Sequence, residues 1–129
     1  MGGIELRPIY GGYDPSSMRL SLKGIPVYPN TLTLNTKDQV HAMQKVMGAS
    51  DVCILRGHGL IVAGSSVEQA TITAIKVDTL ARMNLQAASI GKVPTIPDED
   101  IEQFQRRPGR GNSSPEGLWR YYCEWLIKG

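Results

Sequence analysis

The chain has 129 residues, a net charge of +2, 20% charged residues and 41% hydrophobic ones. That length suits one domain with a sizeable core and is too short for the two independent domains that many cofactor enzymes need. The near-neutral balance excludes a broad electrostatic footprint for nucleic acid or an anionic membrane surface, and no apolar run reaches spanning length. Only two histidines are present, His41 and His58, so a three-histidine metal site cannot be assembled from this chain alone. Cys53 and Cys123 are far apart and match no CxxC pattern. One disulfide could join them in principle, but with no secretory signal the expected compartment is a reducing cytoplasm.

Along the chain, Met1–Gly24 is punctuated by Gly2, Gly3, Pro8, Gly11, Gly12, Pro15 and Gly24, which disfavours long helices. Tyr10-Gly11-Gly12-Tyr13-Asp14-Pro15 reads as an exposed loop. Ile25-Pro26-Val27-Tyr28-Pro29 is extended, because a residue before proline is pushed towards β geometry, and its missing amides suit an edge strand. Thr36-Lys37-Asp38-Gln39 is a capping box that opens a helix with Val40, Met43, Val46 and Met47 at helical spacing and a stop at Gly48. His41 falls beside that stripe as a surface or partly buried helix residue.

Val52-Cys53-Ile54-Leu55 is a short buried-type strand. Arg56-Gly57-His58-Gly59 forms a turn, and a second apolar strand, Leu60-Ile61-Val62-Ala63, follows it. Ser65-Ser66-Val67-Glu68-Gln69 offers two overlapping capping boxes for a long helix. Its expected apolar stripe is Val67, Ala70, Ala74, Val77, Leu80, Ala81, Leu85 and Ala88, ending at Gly91. Pro97-Asp98-Glu99-Asp100 opens a short helix to Arg106 or Arg107, with acids where the helix dipole favours them. Pro108–Ser114 is a flexible, glycine-rich basic link. Pro115 starts a final helix carrying Trp119, Tyr122, Trp125 and Leu126, which reads as a docking element.

Gly57-His58-Gly59 is the sharpest chemical signal. Flanking glycines clear the space around an imidazole at a strand end, which suits a metal ligand or catalytic group. The same pattern also fits a turn histidine bonded to a carbonyl, with glycines serving positive φ. Arg56 could hold a carboxylate or phosphate bidentately, or serve as a structural ion-pair partner. Tyr10 and Tyr13 could supply a phenol for proton transfer, or simply anchor their loop. Arg106, Arg107 and Arg110 fit a solvated basic loop. Tyr121 and Tyr122 fit packing, with reach to a neighbouring site. The glycine-rich stretches have neither GxGxxG nor Walker spacing, so no nucleotide site is supported.

The string from Val52 to Gly64, with Ser66-Val67-Glu68-Gln69-Ala70 and the alanine-rich helix to Ala88, resembles the class II aldolase/adducin family. Gly24-Ile25-Pro26-Val27-Tyr28-Pro29 fits as well. Arg7-Pro8-Ile9-Tyr10-Gly11 and Trp119-Arg120-Tyr121-Tyr122 are nearest its decarboxylase-like branch, which acts on hydroxylated aromatic or pyridine carboxylates.

The resemblance implies an α/β/α fold with a central, mostly antiparallel sheet. It also implies a divalent metal, zinc or manganese, held by three histidines, and carbon–carbon lyase chemistry through a stabilised carbanion or enediolate. His58 matches the third metal histidine. The HxH motif and the acidic catalytic residue belong to an N-terminal half that residues 1–129 do not contain. His41 is in no HxH pattern and is not a ligand candidate. The chain is therefore expected to be a single partial domain of a lyase, joined by a complementing N-terminal chain or assembled as a homo-oligomer. In this reading His58 is the metal residue, Arg56 the substrate-binding residue, and Tyr10 or Tyr13 the proton donor. The family's adducin branch implies the alternative of a non-catalytic assembly module or an inactive remnant.

Overall fold

A computed structural model describes residues 19–22, 24–91, 95–106 and 114–128. Its elements, in chain order, are β1 (Val27–Tyr28), α1 (Lys37–Met47), β2 (Val52–Leu55), β3 (Gly59–Val62), α2 (Val67–Ile90), α3 (Asp98–Arg106) and α4 (Pro115–Lys128). The described strands form one sheet in the order β1-β2-β3, parallel between β1 and β2 and antiparallel between β2 and β3. The described part of the sheet is thus mixed, with one parallel and one antiparallel pairing, where a mostly antiparallel sheet was expected. Connection length is the reason. α1 lies between β1 and β2 and acts as a crossover, whereas β2 returns into β3 through a short turn. β1 is an edge strand of the described sheet, as Pro26 and Pro29 suggest.

Side-chain alternation on β2 builds two cores. Val52 and Ile54 pack with Val77 and Leu80 of α2, joined by Leu60 and Val62. Cys53 points to the other face with Tyr28 and Met43, joined by Leu55, Ile61 and Met47. The sheet is therefore layered between α1 and α2. Coverage on both faces explains why β2 reads as a continuous apolar run rather than an alternating one.

The caps fall where the sequence places them. Thr36 Oγ1 accepts from Gln39 N at 3.3 Å, and Gln39 Oε1 accepts from Thr36 N at 3.0 Å, closing the box at the start of α1. Gly48 ends α1 at φ 58°. For α2, Ser66 is the N-cap and accepts from Gln69 N at 3.1 Å, while Gln69 Oε1 reaches back to Ser65 N at 2.7 Å. Ser114, expected only as the end of the basic link, caps α4, its Oγ accepting from Gly117 N at 3.1 Å. Residues 107–113, which hold Arg107, Arg110 and the expected basic link up to Ser114, lie outside the described residues.

The expected stripe on α2 needs correction. Its buried residues are Ile72, Val77, Leu80 and Asn84, whereas Val67 is 74% and Leu85 58% exposed. A 24-residue helix is about 36 Å long and four-residue strands about 13 Å, so both helix ends overhang the sheet. α4 packs against α2, yet none of its residues is fully buried, and Tyr121, Trp125, Leu126 and Ile127 are exposed. Cys53 and Cys123 are both free thiols.

Candidate functional site: the turn between the second and third strands

Pairing of Leu55 with Gly59 leaves Arg56, Gly57 and His58 as the turn. His58 N donates to Leu55 O at 3.0 Å and closes it. Gly57 has φ 78°, a conformation that side chains rarely adopt, while a Cβ there would meet nothing nearer than Thr31 Cγ2 at 3.8 Å. Glycine is thus needed at 57 for backbone conformation rather than for space. At the base of the turn, Arg56 N donates to Tyr28 O at 3.1 Å, so the first turn residue still belongs to the ladder with β1. The buried strand β2 behind and hydrogen bonds on both sides fix where the turn sits.

The segment after β1 folds over this turn. Asn30 Oδ1 accepts from Leu32 N at 2.9 Å, a local turn that presents the Thr31 carbonyl. His58 Nε2 donates to that carbonyl. A carbonyl oxygen can only accept, so Nε2 carries the hydrogen and Nδ1 is the nitrogen whose lone pair is available in the neutral ring. The observed geometry is the turn alternative for His58, a histidine bonded to a carbonyl. That bond is also the kind of outer contact that orients an imidazole ligand. His58 and Arg56 are exposed, and no ion pair engages the Arg56 guanidinium among the described residues.

Two of the four candidate side chains, Arg56 and His58, are brought together on one turn. Tyr10 and Tyr13 lie outside the described residues. His41 is exposed on α1, as expected of a surface histidine. Arg106 pairs with Glu102 at 3.2 Å on the exposed side of α3, and Tyr121 packs edge-to-face on Tyr122 with centroids 5.3 Å apart. Among the described residues no group of three His, Cys, Asp or Glu could hold a metal ion. His58 fits one coordination position through Nδ1, and the described residues do not supply a closed set.

Sequence reasoning missed Thr31 and Asn30. Asn30 after Pro29 is a readable turn signal, but the acceptor at Thr31 is a main-chain oxygen, which no residue type announces.

The family model for the Class II Aldolase and Adducin N-terminal domain matches residues 4–85. Curated relatives include a 3,4-dihydroxyphthalate decarboxylase of Arthrobacter keyseri, 38% identical over 94% of this chain and 48% of its own length. Those of Terrabacter sp. (strain DBF63) and Rhodococcus jostii (strain RHA1) are 37% and 36% identical, each over 94% of this chain, covering 50% and 49% of their own lengths. The chain spans about half the length of the curated relatives it matches. Among the described residues no helix is long and apolar enough to cross a membrane.

Proposed function

The chain belongs to the class II aldolase and adducin family, and from that premise we propose that it forms part of a decarboxylase acting on a dihydroxylated aromatic dicarboxylate. The observation that carries the reading is the turn itself. A guanidinium with no ion-pair partner among the described residues and an oriented imidazole stand two residues apart on a backbone held by the buried strand β2. The relatives named as 3,4-dihydroxyphthalate decarboxylases support the substrate class.

In this reading Arg56 holds a substrate carboxylate, for which its planar fork is suited. His58 offers one nitrogen ligand to a divalent cation, zinc or manganese, whose remaining ligands come from outside these 129 residues. The cation supplies Lewis acidity towards the substrate oxygens. During decarboxylation the bond between ring carbon and carboxylate breaks, carbon dioxide leaves, and the ring carbon takes a proton. Tyr10 or Tyr13 is the proposed source of that proton.

The test combines this chain with a polypeptide carrying the unmatched half of the Arthrobacter keyseri relative and measures carbon dioxide release from 3,4-dihydroxyphthalate. Release by the parent complex, lowered at least about a hundredfold by His58→Ala, is the expected result. Equal release by both would remove His58 from the site. A stable complex that neither binds zinc or manganese nor releases carbon dioxide would favour the second reading, a non-catalytic assembly module, towards which the incomplete ligand set points.

A further inference from the structure

His58 is exposed and has a glycine on either side, so neither chain neighbour offers a side chain to pack against its ring. A Cβ built at Gly59 would meet nothing within 4 Å, and one at Gly57 would meet only Thr31 Cγ2. An exposed imidazole in such open surroundings changes rotamer freely unless something holds it. Among the described residues, the hydrogen bond that holds this ring is the one from Nε2 to the Thr31 carbonyl. Whatever fixes that carbonyl therefore fixes the ring.

The carbonyl is placed in steps that run outward from the core. Tyr28 is buried, and its own carbonyl accepts from Arg56 N at 3.1 Å, so the chain leaves β1 tied to the turn that carries His58. Pro29 follows with its φ locked by the ring. Asn30 then folds its side chain back, and Oδ1 accepts from Leu32 N at 2.9 Å. That amide and the Thr31 carbonyl belong to the same peptide group, which is planar and points its N–H and C=O in opposite directions. Two side chains thus grip one plane from its two ends, Asn30 at the N–H and His58 at the C=O. With the N–H end held, the plane cannot rotate and swing its oxygen away from the imidazole.

We propose that Asn30 is a positioning residue for His58, aiming the Thr31 carbonyl at Nε2 and so keeping Nδ1 as the nitrogen that can take a ligand. The importance of this for chemistry rests on the proposed reading of His58 as a metal residue; the orientation itself does not. The residue type at 30 then matters more than that at 31. An oxygen acceptor is needed on the side chain at 30, whereas position 31 contributes only its main chain.

Nuclear magnetic resonance of the 129-residue chain reads the orientation directly, at a mildly alkaline pH where the imidazole is neutral. The parent should show the ring hydrogen on Nε2 and a nuclear Overhauser effect between the His58 ring and Thr31 Hα. Asn30→Ala should lower the ratio of bonded to free ring about fivefold, the worth of one ordinary hydrogen bond. Asn30→Asp keeps the acceptor and should restore the parent signals, and Thr31→Ala should leave them unchanged. Parent-like ring signals in Asn30→Ala would overturn the proposal, and so would equal losses in the Ala and Asp variants. Loss of exchange protection at the His58 amide, which is bonded to Leu55 O, would also overturn it, because the whole turn would then have come loose. In the complex that tests the proposed reaction, Asn30→Ala should lower carbon dioxide release about tenfold, with Asn30→Asp close to the parent. Ring signals that respond as expected while release stays constant would leave the positioning standing and remove His58 from the reaction.

Discussion

Cys53 and Cys123 carry the same thiol in opposite surroundings. Cys53 is fully buried among Tyr28 and Met43, and burial pushes its thiol pKa up, with a backbone hydrogen bond at Tyr28 opposing in part. Cys123 is half-buried on α4. A thiol reagent at mildly alkaline pH should therefore label Cys123 while Cys53 reacts only on unfolding, read by mass spectrometry of the digested protein. Because the folded-state value of Cys53 is raised, its ionisation favours the unfolded chain. Its contribution to stability is complete below the ordinary thiol pKa and is lost as pH rises through the raised one, so the denaturant midpoint should fall on that alkaline limb. Cys53→Ala should flatten that fall. At the same scale, the turn around His58 was legible in its flanking glycines, because only glycine accepts φ 78° at 57 and 149° at 59 without strain. The Thr31 carbonyl that orients the ring was not legible, since every residue carries the same acceptor.

For the helices, the start signals were readable to within a residue. Thr36, Ser66 and Ser114 satisfy amides that would otherwise be orphaned, which is a local interaction fixed by local sequence. Thr36→Ala should lower stability by about 1 kcal/mol in chemical denaturation. Which turns of α2 are buried was less legible. Periodicity reports the apolar face of a helix, whereas burial also depends on how much of its length overlies the sheet. Leu80 and Leu85 separate the two effects, being 1% and 58% exposed. Leu80→Ala should cost about 3 kcal/mol, because it removes a side chain enclosed by Val52, Ile54 and Val77. Leu85→Ala should cost less than about 1 kcal/mol, as expected of a side chain that stays largely in water. Equal losses in thermal or denaturant unfolding would mean that the end of α2 is covered in solution, with α4 or a further chain as the cover.

Across the whole molecule, the histidine count constrains more than any contact does. Two histidines occur in 129 residues, and His41 stands exposed on α1 while His58 stands on the β2–β3 turn. The layered α/β architecture needs only α1, the strands and α2, all of which the sequence announces, so the fold was legible where its parts are local. The proposed site was legible only in part, because the further ligands it calls for are proposed to lie outside these 129 residues and Tyr10 and Tyr13 fall outside the described ones. That difference yields the last prediction. The 129-residue chain by itself should bind zinc or manganese at well below one ion per molecule, since a single imidazole lacks the chelating partners that make a protein site tight. It should also release no carbon dioxide from 3,4-dihydroxyphthalate above the uncatalysed rate. Elemental analysis after dialysis and a carbon dioxide assay on the same sample check both. A tightly held stoichiometric metal with turnover would require ligands from copies of this chain, and sedimentation of that sample should then show an oligomer whose His58 residues converge on shared ions.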